Sequence, residues 1–144
     1  MTIKEIQDKV VEEFELFTDW TDKYAYIIEL GKKLSVLDED YKTEQNIIKG
    51  CQSRVWLQPE LKGNQLIFTA DSDAVIVKGI VYLLIRVLSN HSPQDILNTE
   101  LNFIERIGLT QHLSPTRSNG LLAMVKQMKF YALAYKSKLE SEVK

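Results

Sequence analysis

Residues Ala74 to Leu88 are apolar nearly all round, interrupted by Lys78, Gly79, Tyr82 and Arg86. This run is shorter than the roughly 18 to 20 apolar residues a membrane span needs, and it carries two cations. It therefore reads as a buried central helix, and the rest of the chain has to cover it on every side. The 144 residues are enough for one domain with a single sizeable core, and one domain over 1–144 is expected.

The flanking segments supply that cover. Ile3, Ile6, Val10, Phe14 and Phe17 recur at gaps of three and four, so residues 3–17 read as an amphipathic helix. Asp19, with Asp22 three residues on, is a helix start, and Tyr24, Ile27, Ile28, Gly31 and Leu34 continue the period in an antiparallel partner. Residues 35–46 are polar and acidic without a sustained period and read as a connecting loop. They lack the spacing, glycine and terminal glutamate of an EF-hand.

From Arg54 to Glu60 the side chains alternate, with Val55 and Leu57 on one face and Arg54, Trp56 and Gln58 on the other. Pro59 marks an edge or an end, Lys62-Gly63-Asn64 is a turn, and Leu66, Phe68 and Ala70 face the core on the return strand. A lone hairpin is marginal in water, so Ile47 and Ile48 are expected to add a short third strand. The fold class is α/β in the α+β sense, a small three-stranded antiparallel sheet packed against several helices. Asp71-Ser72-Asp73 is expected to cap the central helix. Ser92-Pro93 and Ser114-Pro115 are further helix starts, Gly108 closes a short helix, and the chain is expected to fray from about residue 137.

Composition narrows the function classes. The chain is 44% hydrophobic and 26% charged, an ordinary globular balance. Lys and Arg number 18 against 20 Asp and Glu, a formal charge of −2 without a basic run, which argues against nucleic acid. No membrane or signal segment is visible, and a single cysteine cannot form an internal disulfide, so a cytoplasmic location is expected.

That cysteine, Cys51, lies between Gly50 and the small polar pair Gln52 and Ser53. The glycine frees the backbone, and the polar pair can satisfy turn groups, so the thiol reads as presented on a loop ahead of a strand. Packing as a small hydrophobe is the competing reading. One cysteine and two histidines without ligand spacing do not make a zinc site, and no metal is expected. Glycine-rich phosphate loops and a Cys-x-x-Cys pair are absent from the sequence. Two chemistries remain. Cys51 with His112 or His91 would make a nucleophile and base, as in a thiol hydrolase. Alternatively, a solitary thiolate accepts sulfur from a persulfide, where a second cysteine would close a disulfide and release the sulfur as sulfide. Arg117 is out of place in either reading, since a cation in a helix's first turn opposes the dipole.

The run Asn46 to Leu57, centred on Gly50-Cys51-Gln52-Ser53 and followed by Val55-Trp56, resembles the signature of the SufE family of sulfur acceptors. Asp71 to Gly79, Leu109 to Leu121 and the helix containing Trp20, Lys23, Tyr24 and Gly31 agree with it, so the resemblance covers roughly residues 15–135. Arg54 stands where many relatives carry glutamine. The resemblance implies a SufE-like fold related to the IscU scaffold proteins. It further implies an accessory protein without independent enzymatic activity, which accepts persulfide sulfur on Cys51 from a cysteine desulfurase of the SufS or CsdA type. This would stimulate the desulfurase, and the sulfur would pass to a downstream iron-sulfur scaffold. Pyridoxal phosphate (PLP) would belong to the desulfurase, leaving this chain without a cofactor of its own. Arg117, Gly50, Gln52 and Ser53 would lie at the desulfurase contact.

Overall fold

The computed structural model describes residues 1–34, 37–49 and 53–143. Its elements run α1 (Ile3–Phe14), α2 (Trp20–Gly31), two 3-10 turns (Glu39–Tyr41 and Glu44–Asn46), β1 (Val55–Lys62), β2 (Gln65–Ser72), α3 (Val75–Leu88), α4 (Pro93–Asn98), α5 (Phe103–Arg106), α6 (Leu109–His112) and α7 (Pro115–Val143).

Helix α3 is the buried centre that its composition demands. Val77 to Leu88 contribute Ile80, Val81, Leu83, Leu84, Val87 and Leu88 to one core cluster, each 3% exposed or less. Helices α1 and α2 pack on one side of it and the hairpin on another. The approach of α2 is set by glycine: a Cβ on Gly79 would stand 2.0 Å from the Ile27 carbonyl oxygen, and one on Gly31 would stand 2.8 Å from the Gly79 nitrogen. Arg86 then joins three helices. Its guanidinium makes a two-pronged ion pair with Glu13 of α1, whose carboxylate also accepts from the Tyr26 hydroxyl of α2 at 2.7 Å. The Arg86 hydrogen bond holds the Glu13 carboxyl below the usual carboxylate range. Burial, with the bond to Glu13, pushes the Tyr26 phenol up to about 12.

Strands β1 and β2 pair antiparallel from Val55↔Ser72 to Lys62↔Gln65. They turn through Gly63-Asn64, with Gly63 at φ +60, a left-handed value suited to glycine. Pro59 sits inside β1 and does not end it. Its partner Phe68 sends its N–H away from β1, to the Ser89 hydroxyl at 2.9 Å, so Pro59 occupies a position whose missing N–H removes no ladder bond.

The expected three-stranded sheet is corrected to two strands. Among the described residues, Ile47 contributes an isolated bridge to Trp56, and Leu66 makes another with His91. A 3-10 turn ends at Asn46, immediately before Ile47, so little extended chain is left there to form a third strand. The α+β class holds. Two other expectations also change. Helix α7 continues to Val143 without fraying at 137, although Ala132 is the last buried residue among those whose burial is described. Ala74, without a side-chain cap, precedes α3 in place of a cap from Asp71-Ser72-Asp73. Asp19, Ser92 and Ser114 do accept the expected N–H bonds at their helix starts, at 2.9, 3.1 and 3.3 Å. No helix among the described residues is long and apolar enough to cross a membrane.

Candidate functional site

The Asp71-Ser72-Asp73 run does not cap α3 because its side chains are engaged elsewhere, Asp71 with Lys42 and Lys78 and the other two with Arg54. The Arg54 N–H donates to Asp73 Oδ1 at 3.1 Å, while the Arg54 carbonyl accepts from the Ser72 hydroxyl at 2.8 Å and from the Asp73 N–H at 3.2 Å. Ser72 is buried, so its hydroxyl needs these partners, and it also accepts from Ala74 N–H at 3.2 Å. One residue on, the Val55 carbonyl accepts from Ile48 N–H at 2.9 Å. The chain is thus held at Ile48 and again at Arg54 and Val55. Gly50, Cys51 and Gln52 lie between these anchors and outside the described residues.

Ser53 is described, and it faces a pocket. With Val55, Val77, Ile80 and Met124 as apolar lining and Thr116, Arg117 and Gly120 from the start of α7, it encloses about 90 Å³. The pocket thus joins the segment after the cysteine to the first turn of α7, two runs far apart in sequence. Arg117 is exposed, and its Nη1 donates to the Tyr24 hydroxyl at 2.9 Å. Its backbone N–H is taken by Ser114 Oγ. The cation that opposes its own helix dipole is thus held from α2.

Helix α2 also fixes His112. The imidazole stacks on Trp20 with centroids 4.1 Å apart and planes at 14°, and Trp20 meets Tyr24 edge-on at 6.4 Å. His112, Trp20, Tyr24 and Arg117 therefore form a continuous row beside the pocket rim. His91 is elsewhere. Its backbone pairs with Leu66, opposite Leu61, and both ring nitrogens lie against carbonyl oxygens, Nδ1 at 3.0 Å from Ser89 and Nε2 at 3.2 Å from Met1. Six residues of β1 separate Leu61 from Val55, about 20 Å of strand. His91 is thus at the hairpin end remote from Ser53, and its ring nitrogens face backbone carbonyls.

Behind the hairpin, Asp71 binds Lys42 at 3.3 Å and Lys78 at 3.6 Å. Lys42 also binds Glu39 at 3.0 Å, a bond that raises its pKa, and it lies 5.6 Å over the Trp56 ring. These contacts hold the loop before the cysteine against the outer face of β1. Among the described residues, no group of three or more His, Cys, Asp or Glu side chains could hold a metal ion.

Of the site residues expected from sequence, the structure brings Ser53 and Arg117 to one pocket. It places His112 on the Trp20–Tyr24 row and His91 far along the hairpin. Sequence reasoning missed Ser72 and Asp73 as the clasp on Arg54, and Tyr24 as the acceptor for Arg117. Short polar side chains at a strand end often bond nearby backbone, and that was the available signal for the clasp. The i, i+4 spacing of Trp20 and Tyr24 was the signal for the row, but aromatic residues at that spacing also suit a core.

The model of the SufE family, described as an Fe-S metabolism associated domain, matches residues 8–132. A solution structure of a hypothetical protein from Thermus thermophilus superposes with a TM-score of 0.76 at 19% identity. It covers 92% of this chain and 96% of that one. That likeness supports the fold alone.

Proposed function

This chain belongs to the SufE family and has a role in Fe-S metabolism, and on that premise we propose that Cys51 accepts persulfide sulfur from a cysteine desulfurase and passes it to an iron-sulfur scaffold. The Cys51 thiolate attacks the terminal sulfur of the donor persulfide. The donor S–S bond breaks, its electron pair leaves with the donor thiolate, and a new S–S bond forms on Cys51. Delivery repeats the displacement with the recipient thiolate as nucleophile. No net oxidant is needed, and pyridoxal phosphate serves the desulfurase that first makes the persulfide.

The observation that carries this reading is the paired anchorage of the chain on either side of the cysteine, at Ile48–Val55 and Arg54–Ser72–Asp73, beside a pocket rimmed by Arg117. A nucleophile that must meet another protein's persulfide benefits from a segment with fixed ends, because less conformational freedom is lost on docking. Arg117, exposed and held by Tyr24, is the proposed contact to the desulfurase, with Gly50, Gln52 and Ser53. The chain acts as an accessory and carrier, stimulating the desulfurase by clearing its persulfide.

The test is to incubate the protein with a cysteine desulfurase and free cysteine and to weigh it intact. The expected result is a gain of one or more sulfur atoms, removed by reductant and absent in Cys51→Ser. An unchanged mass beside a competent desulfurase would overturn the reading. Arg117→Ala is expected to lower desulfurase stimulation while leaving the fold intact, and unaltered stimulation would remove Arg117 from the contact.

A further inference from the structure

Both arms of the cysteine segment end on one three-residue run. Ser72 and Asp73 hold the outgoing arm at Arg54, and Asp71, beside them, holds the incoming arm through Lys42. Asp71 is the cross-strand partner of Trp56. Directly opposite residues of an antiparallel pair share a face, and Lys42 lies across this one, 3.3 Å from Asp71 Oδ2 and 5.6 Å over the Trp56 ring. The Asp71 carboxylate is fixed in orientation, because its Oδ1 accepts from Ser72 N–H at 2.8 Å and lies 3.6 Å from Lys78 of α3. Its side chain is 15% exposed and that of Lys42 21%. A carboxylate so far withdrawn from water needs its partners, which sets this pair apart from a surface contact.

The incoming arm depends on this pair. The 3-10 turns at Glu39–Tyr41 and Glu44–Asn46 bury no residue, so burial does not fix them to the hairpin. Their internal bonds, from Asn46 Nδ2 to the Tyr41 carbonyl at 2.7 Å and from Lys42 to Glu39, shape the arm without attaching it. Lys42 stands between the two turns and reaches out of them to the strand pair. Beyond the turns, Ile48 is buried and its N–H bonds the Val55 carbonyl. An ion pair on one arm and a hydrogen-bonded clasp on the other therefore converge on adjacent residues of β2 and its end, and together they set the separation of the two arms between which Cys51 lies in the chain.

We propose that Lys42 and Asp71 are positioning residues for sulfur acceptance, their ion pair holding the incoming arm in the arrangement that the desulfurase engages. The inference rests on the proposed transfer of persulfide sulfur to Cys51. The pair takes no part in the displacement, in which the Cys51 thiolate attacks and the donor thiolate leaves. Its contribution is that docking has less chain to order. Loss of the pair is therefore felt in the concentration at which this protein saturates the desulfurase, and the maximal rate of loading is left nearly as it was. Lys78 provides the contrast within the same cluster. It is the other cationic partner of Asp71, but it belongs to α3 and holds neither arm.

The measurement is the rate at which a cysteine desulfurase with free cysteine loads Cys51, read by intact mass over a range of concentrations of the full chain. Lys42→Met and Asp71→Asn are each expected to raise the half-saturating concentration about fivefold, with the maximal rate within about twofold of wild type. Lys42→Arg, which keeps the cation, and Lys78→Met, which leaves the arm alone, are both expected to load within about twofold of wild type. The double variant Lys42→Met/Asp71→Asn should be no worse than the worse single one, because the two side chains act as a unit. Alkylation of Cys51 by iodoacetamide, which needs no docking, should be no slower in any variant, and melting midpoints should move by no more than about 4 °C. Amide exchange at Ile48 should quicken in Lys42→Met and not in Lys78→Met, and unaltered exchange would show that the pair does not hold the arm. An effect of Lys78→Met equal to that of Lys42→Met would overturn the proposal, as would Lys42→Arg loading no better than Lys42→Met. Wild-type protein that gains no sulfur beside a competent desulfurase would overturn the transfer reading and this role with it, whereas equal loading of wild type, Lys42→Met and Asp71→Asn would overturn this role alone.

Discussion

The crossing of α2 and α3 and the Val55–Ser72 end of the hairpin are held in opposite ways. At the crossing, backbone meets backbone, with room for hydrogen alone at Gly79 and Gly31. At the hairpin end, the side chains of Ser72 and Asp73 reach across to one residue's backbone. The first arrangement tolerates no added volume. The second depends on particular polar atoms and can be altered without disturbing the core. Separating the two lets the scaffold stay fixed while the segment beside the cysteine is tuned.

Gly79→Ala sets the upper end of that contrast. The new Cβ would overlap the Ile27 carbonyl, which cannot swing aside as a flexible side chain would. A loss of about 3 kcal/mol or more, the upper range for overpacking, is expected from the denaturant midpoint. A loss under about 1 kcal/mol would show that α2 can shift, and the crossing would not be the rigid member of the comparison.

The Glu13–Arg86–Tyr26 cluster is intermediate, since it joins helices through side chains that are partly exposed. Arg86→Met is expected to cost about 1 to 2 kcal/mol, between values for exposed and buried pairs. The pH dependence has a defined sign. Glu13 has a lowered folded pKa, so its contribution is present above the unfolded carboxyl value and is lost as pH falls through the folded one. Tyr26 is raised to about 12 from 10.0, so its contribution is intact below pH 10 and is lost as pH rises toward 12. Thermal melts from pH 3 to 11 should show wild type and Arg86→Met converging at the acid end, and parallel curves would exclude the carboxylate from the effect.

The smallest stability effect and the most local one belong to the site. Asp73→Ala removes the acceptor for Arg54 N–H at an expected cost of about 1 kcal/mol. Amide exchange should quicken at Arg54 while core amides keep their protection, and the rate of Cys51 alkylation should change. Exchange that quickens throughout the core would mean that the clasp belongs to the scaffold after all. Tyr24→Phe, which frees Arg117 from α2, should cost under about 0.5 kcal/mol and act on desulfurase stimulation instead.

Much of this was legible along the chain because it depends on local spacing. The apolar run before Leu88, the alternation through Leu57, the Gly63 turn and the caps at Asp19, Ser92 and Ser114 each report their element within a few residues. The solitary cysteine and its neighbours carried the family as well, which the match over residues 8–132 bears out. The third strand failed because alternation does not tell two residues of extended chain from a single bridge.

The long-range contacts were decided by packing. Asp73 and Ser72 read as caps because a short acceptor before a helix looks the same whether it bonds that helix or a strand 18 or 19 residues earlier. Arg117 stood out in sequence as a cation at the wrong helix end, but its partner Tyr24 lies 93 residues away. Sequence alone thus determined the hairpin, most of the helices and the buried central helix, since those follow from periodicity, and its motifs indicated the family. Tertiary structure decided which polar groups meet across the fold, because unpaired buried donors and acceptors are satisfied by spatial neighbours, whatever their separation along the chain.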